Sequence, residues 1–183
     1  MAIDIELTED EIMDALRFVH RVRENKKQYE VVDKKFDKNN SSYSVNLMGQ
    51  LGEVACGKGL GLEVDRSISP SGDNGHDLST SLGKNIQVKT STLDKLIFNA
   101  PELFVSDYAV LVQFFGDKQI PHVDSKFTIV GWVTRELFLA NHYKHDYGYG
   151  IRLVMDANQL LPMEDLINEL SRLQSSSVQG SRS

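Results

Sequence analysis

Gly75-His76-Asp77-Leu78-Ser79-Thr80-Ser81-Leu82-Gly83-Lys84-Asn85-Ile86-Gln87-Val88-Lys89-Thr90-Ser91 is the stretch that decides how this chain is read. Residues 77–81 and 85–90 have the pattern of two strands, joined by a tight turn at Leu82-Gly83-Lys84. Side chains alternate along an extended strand, so Gln87 and Lys89 share one face. Pairing the two strands through so short a turn brings Asp77 beside Gln87. Just upstream, Leu47, Leu51, Val54 and Ala55 recur at helical spacing in a segment that starts near Ser44 and carries Glu53. Gly49 and Gly52 each cost that helix about 1 kcal/mol relative to alanine, which predicts a neighbour packed very close to it. Two carboxylates, one amide oxygen and one ammonium can therefore gather around a single point. Hard oxygen donors suit Mg²⁺ or Mn²⁺. A lysine beside such an ion can orient an attacking water and offset charge on a phosphoryl group.

Further out, Thr8 and Glu11 form a capping box that opens a helix over 8–28, with Ile12, Ala15, Leu16, Val19 and Val22 on its apolar face. Residues 34–44 are polar and read as a loop, 62–68 as a short strand, and 69–75 as another loop. The nearly unbroken apolar run over 108–115 predicts a central strand covered on both faces. A further strand follows at 127–133; Thr134 then caps a helix reaching Asn141, and a last strand spans 151–155. Pro162 opens a final helix bearing Leu166, Ile167, Leu170 and Leu173, and the Ser/Gln/Gly-rich tail over 174–183 reads as disordered. This order predicts an α/β sandwich around a mixed sheet flanked by helices, in one domain over 1–173 with its catalytic core over about 45–133.

The chain has 183 residues, 40% hydrophobic and 25% charged, a globular composition. No apolar run is long enough to span a membrane. The first residues show no secretory pattern, and the single cysteine, Cys56, cannot form an internal disulfide, so a reducing cytoplasm is the expected compartment. The net charge of −6 argues against a protein whose main business is coating nucleic acid. Charge is unevenly spread: between Arg17 and Lys38, eight basic residues oppose four acidic ones. That segment reads either as a solvated helix face or as a phosphate-facing rim.

The ordered set Glu53, Asp77, Gln87-Val88-Lys89 resembles the active-site signature of the PD-(D/E)XK nuclease superfamily, whose members share the restriction-endonuclease-like fold. Gly49-Gln50-Leu51-Gly52-Glu53 is similar to the G-x-x-G-E helix of many members. Residues 75–78 and 86–91 resemble their metal-binding hairpin, and 129–134 the strand-to-helix passage of some. Residues 160–166 are similar to the ending of such chains. The likeness runs from about Val45 to Leu173, and the N-terminal helix has no motif of its own. It implies a metal-dependent DNA nuclease. Asp77, Gln87, the Val88 carbonyl and Glu53 would hold Mg²⁺ or Mn²⁺, with Glu53 acting directly or through water. Lys89 would position the nucleophilic water, and the cut would leave a 5′-phosphate. A small catalytic domain without a recognition module implies a homodimer or a partner protein that supplies specificity. Two departures stand out. His76 occupies the usual proline position, and Gln87 replaces an acidic ligand, which weakens metal binding and disfavours a second ion. The alternative is a catalytically inactive descendant that binds nucleic acid or serves assembly.

Thr90, Ser91 and Lys95, just beyond the motif, are candidate phosphate contacts. Asp65 and Asp73 could assist Asp77, although a solvated strand edge and a turn explain them more simply. His76 could touch substrate or simply sit at an exposed loop edge. His142 and His145 lack the companions that a zinc site needs. Cys56 reads as a small buried hydrophobe, and Phe114, Phe115 and Trp132 as core. A last rival is an unrelated α/β domain in which Lys89 only neutralises Asp77 and Glu53 faces away from both.

Overall fold

A computed structural model describes residues 2–28, 41–68, 76–81, 83–148 and 150–180, with side chains through Arg172. In chain order the elements are β1 (Ile3–Ile5), α1 (Glu9–Gln28), α2 (Ser42–Leu60), β2 (Leu78–Ser79), β3 (Asn85–Ser91), β4 (Lys95–Phe98), β5 (Tyr108–Phe115), β6 (Lys126–Thr134), α3 (Arg135–Asn141), β7 (Tyr143–Asp146), β8 (Ile151–Asp156) and α4 (Met163–Gly180). Five strands form a mixed sheet in the order β1-β6-β5-β3-β2, in which only β3 and β5 run parallel. A second, antiparallel sheet has the order β4-β8-β7. The chain is thus mixed α/β, with a five-stranded mixed sheet and four α-helices among the described residues.

Local chemistry sets the helix ends. Thr8 N–H donates to Glu11 Oε2 at 2.7 Å and Glu11 N–H to Thr8 Oγ1 at 3.3 Å, the reciprocal cap expected ahead of α1. Ser41 Oγ accepts from Ser44 N–H at 3.0 Å, so α2 begins at Ser42, slightly before the expected Ser44. Gly61, at φ 66°, closes α2 by donating to the Gly57 and Lys58 carbonyls. Thr134 Oγ1 accepts from Leu137 N–H at 3.1 Å and starts α3.

The large sheet has a core on each face. Ile86, Val88, Val110, Val112 and Ile129 pack under α1 and α2, while Ala109, Leu111 and Val133 face Leu96, Phe98, Phe104 and Phe138. β5 is the buried central strand its apolar run predicts. Trp132 and Phe114 lie in the core as expected, but Phe115, at the strand's end, is 49% exposed.

Several expected boundaries shift. Residues 62–68 form no strand; Val64 makes a single bridge to Leu78, because β2 offers only two residues to pair with. β2 stops at Ser79 rather than at residue 81. The turn recruits Thr80, whose N–H donates to the Lys84 carbonyl at 2.9 Å and whose Oγ1 accepts from Lys84 N–H at 3.1 Å. Strands β1, β4 and β7 add to the expected set. The last helix continues to Gly180, past the expected end at residue 173 and through most of the segment read as a disordered tail. The loops expected over 34–40 and 69–75 lie outside the described residues.

α2 and β3 meet at the glycine that matters most for the site. A Cβ on Gly52 would stand 1.9 Å from Thr90 Oγ1 and 2.9 Å from its Cβ and Cγ2. Only a bare Cα permits this approach, as the helix glycine predicts. Gly49 meets nothing within 4 Å, so that expectation holds for one of the two.

Candidate active site

Asp77 sits at the free edge of β3. Leu78 pairs with Ile86, which sets Asp77 beside Gln87. The Asp77 N–H donates to the Ile86 carbonyl at 2.9 Å. Its buried carboxylate accepts from the Val88 N–H at 2.6 Å, taking the place of the strand partner that β2 is too short to provide. The N–H and C=O of one residue in an extended strand point to the same side, so the Val88 carbonyl opens on the edge where Asp77 sits.

Gln87 is buried, and its Oε1 has no hydrogen-bond partner. A buried acceptor left unsatisfied costs about 1–3 kcal/mol. An amide oxygen whose lone pairs the protein leaves unused, on the residue in register with Asp77, is the kind of hard donor that a divalent cation takes. Lys89 lies on the Gln87 face of β3, where the cross-strand partners are Ala109 and Leu111. Its ammonium sits 5.0 Å above the Phe98 ring of β4.

Glu53 arrives from α2. Its Oε2 accepts from Gln50 Nε2 at 2.9 Å, three residues back along the helix. Glu53 and Asp77 line one cleft of about 330 Å³ together with Phe18, Gln50, Asp65 and His76. Cys56, one turn beyond Glu53 and fully buried, reports on both carboxylates: burial pushes its thiol well up, and the charges of Asp77 and then Glu53 push it further. Glu53 and Asp77 thus face one cleft, and Glu53 does not face away from Asp77.

The described lining of the cleft does not include Gln87, Val88 or Lys89. Ile86 and Val88 pack toward α2, so alternation turns Gln87 and Lys89 toward β4 on the opposite face of the sheet. Asp77 stands past the end of β2, at the edge of β3. The structure puts Glu53 and Asp77 on one cleft, and turns Gln87 and Lys89 to the other face of the sheet.

The three candidate phosphate contacts are occupied by the fold. Thr90 Oγ1 lies against α2, with a long 3.5 Å contact to the Gly49 carbonyl. Ser91 Oγ accepts from Leu93 N–H at 3.0 Å inside a turn. Lys95 pairs closely with Asp156 and donates to Tyr143 Oη at 3.2 Å, bonds that raise its pKa and tie it into the second sheet. Asp65 and His76 do line the cleft, with Asp65 Oδ1 also accepting from Ser67 N–H at 2.8 Å; Asp73 lies outside the described residues. His142 stacks on Phe138 with ring centroids 5.5 Å apart, and His145 lies edge-on to Tyr147 at 4.4 Å. Among the described residues no group of three or more His, Cys, Asp or Glu side chains could hold a metal. The donor set at the edge of β3 draws on only two such side chains, Glu53 and Asp77, complemented by an amide and a main-chain carbonyl.

Sequence reasoning passes over Gln50, which is buried and holds Glu53. Its i,i+3 spacing to Glu53 is the available signal. Lys26 of α1 reads in the sequence only as part of a basic run, yet it lines the same cleft. Comparison with protein-family models, with curated proteins and with solved structures returns no match. No helix among the described residues is long and apolar enough to cross a membrane.

Proposed function

We propose that the chain is a metal-dependent phosphodiesterase acting on DNA, with its reacting centre at the edge of β3. The observation that carries this reading is the setting of Asp77: a carboxylate anchored on the Val88 N–H, in register with Gln87, whose Oε1 has no partner, and sharing a cleft with Glu53. The resemblance of this ordered set to the PD-(D/E)XK signature, and the mixed sheet that carries it, support the same conclusion.

Asp77, Gln87 and the Val88 carbonyl would hold Mg²⁺ or Mn²⁺, with Glu53 completing the set. Such an ion supplies charge neutralisation at the phosphoryl oxygens and a more acidic water. The chain's own residues do the positioning. Gln50 fixes the Glu53 carboxylate, leaving it to hold a water or the ion from the α2 side. The Val88 N–H fixes Asp77 at the edge of β3. Lys89 brings a cation from the Gln87 face, where it orients the attacking water and offsets charge that develops on the phosphorus substituents. The leaving group departs as the 3′-hydroxyl, so the product carries a 5′-phosphate. A homodimer or a partner protein would supply specificity, and the buried Cys56 accords with a reducing cytoplasm. The second reading, a nucleic-acid-binding or assembly protein that no longer cuts, draws on Gln87, which leaves the donor set two carboxylates.

The deciding experiment incubates the protein and its Asp77→Asn variant with linear, single-stranded and branched DNA in Mg²⁺ or Mn²⁺. Hydrolysis by the wild type alone is the expected result. Binding without hydrolysis on every substrate selects the second reading, and neither binding nor hydrolysis removes both.

A further inference from the structure

Beside the carboxylate cleft runs a groove of opposite charge. It is lined by Asp14, Arg17, His20 and Arg21 of α1 and by Arg66, which follows Asp65 out of the cleft. Phe18 joins the two features. Its nearly buried ring is part of the cleft wall, and two guanidinium groups rest on it, Arg66 Cζ at 5.0 Å and Arg21 Cζ at 5.7 Å from the centroid. Asp14 engages Arg17 at 3.0 Å. Among the described residues no carboxylate pairs with Arg21 or Arg66.

Bringing two like charges to one aromatic ring is unfavourable unless something offsets their repulsion. The ring quadrupole does so only in part. Planar guanidinium forks lining one groove match phosphate oxygens, which accept two parallel N–H bonds from a fork. The groove is also continuous with the cleft through Phe18 and through the adjacent pair Asp65 and Arg66. An anion held there is next to the reacting centre without sharing it.

We propose that Arg21 and Arg66, seated on Phe18, grip the phosphate backbone of the nucleic-acid substrate beside the scissile position. This rests on the nuclease reading above and adds the subsite that orients the strand. It also assigns a role to the basic N-terminal helix, which carries no motif of its own. The grip reads phosphate and no base, so it contributes affinity and register without sequence preference.

The test measures binding without cutting. Fluorescence anisotropy of a short labelled duplex, and of one of its strands, is followed in EDTA across a salt series for four proteins: wild type, R21Q/R66Q, R23Q and Arg21→Lys with Arg66→Lys. Arg23 lies on α1 outside the groove and controls for bulk charge. Circular dichroism checks folding, and either single Arg→Gln variant carries the same reading if the double variant unfolds. The expected result is weaker binding by R21Q/R66Q, with the slope of log K against log salt shallower by about 0.9 for each phosphate no longer neutralised, and R23Q like wild type. The lysine pair should fall between, because it keeps charge but not the fork. An unchanged slope in R21Q/R66Q, or an equal loss in R23Q, overturns the proposal. Saturable binding of inorganic phosphate by a wild type that binds no oligonucleotide overturns it too. Hydrolysis in Mg²⁺ is scored separately. Arginine-dependent binding by a protein that never cuts keeps this subsite and removes the nuclease reading, whereas cutting with arginine-independent binding does the reverse.

Discussion

Replacing Gly52 by alanine sets two physical effects against each other. Helix propensity alone favours the change by about 1 kcal/mol. The packing against β3 opposes it, because the new methyl would lie 1.9 Å from Thr90 Oγ1 and 2.9 Å from Thr90 Cβ. Rotating χ1 can move Oγ1 off the new methyl but leaves Thr90 Cβ at 2.9 Å, still too close. α2 must then withdraw from the sheet, and overpacking of this kind costs typically about 1–3 kcal/mol, more when the backbone has to move. The net expectation for Gly52→Ala is a loss of about 1–2 kcal/mol. Thr90→Ala removes Oγ1 and Cγ2 while leaving Cβ, so the double variant should regain part of that loss, with a coupling of about 1 kcal/mol. Urea denaturation of the four proteins in the cycle measures both quantities. Glu53 is the next residue, so the same withdrawal should draw its carboxylate away from Asp77 and lower activity beyond what the stability loss explains. A stabilised Gly52→Ala, or a cycle without coupling, would refute the close approach and the placement of Glu53 that depends on it.

Asp77→Asn should abolish both hydrolysis and Mg²⁺ binding measured by calorimetry, while Asp77→Ala should also lose about 1–3 kcal/mol of stability because the Val88 N–H is left unpaired. Lys89→Ala should keep Mg²⁺ binding and slow cleavage by about 10²–10³, as removal of a donor to developing charge does; cutting at the wild-type rate would remove the role given to this lysine. Gln87→Glu, nearly isosteric at the unpartnered oxygen, should bind Mg²⁺ more tightly at matched pH, and unchanged or weaker binding would place residue 87 outside the donor set. Asp107 opposes burial with bonds from Lys84 at 2.6 Å and from the Asn85 N–H at 2.9 Å, which hold its carboxyl below the usual value of 3.8. A depressed carboxyl contributes stability above that value and loses it as pH falls through the folded pKa, so wild type should lose more stability than Asp107→Asn between pH 7 and about pH 3. Equal losses in urea titrations at the two pH values would contradict the sign.

What the sequence makes legible is decided within a few residues. The caps at Thr8 and Thr134 and the apolar run of β5 each carry their own local signal. The hairpin order and the shared face of Gln87 and Lys89 follow from the two-residue period of a strand. The three added strands, β1, β4 and β7, have no comparable signal. β7 is Tyr-Lys-His-Asp with every residue exposed, and β4 and β1 are four and three residues long, too short for a period to emerge. Their pairing comes from partners distant in sequence, such as Lys95 opposite Asp156. That pairing also ties Lys95 into the second sheet, and nothing near residue 95 announces a carboxylate 61 residues away. The facing of β3 is settled in the same way. Period two states that Gln87 and Lys89 agree with each other; only the packing of Ile86 and Val88 under α2 decides which way both point.

β1 is an edge strand of the large sheet and is joined to β6 by three register pairs: Ile3 with Ile129, Asp4 with Thr128, and Ile5 with Phe127. Lys58 clasps the end of this strand through the Glu6 carbonyl at 2.8 Å and the Glu11 carboxylate at 2.9 Å. So few bonds come apart far more often than the whole domain melts. Each such excursion bares the main-chain edge of β6 between Phe127 and Ile129, with the exposed Lys126 as the charge at its start. An uncovered edge of this kind is a template for a strand from another molecule. Self-association on storage should therefore follow the opening frequency of three N-terminal residues and ease when they are pinned more firmly, even if the melting temperature does not change.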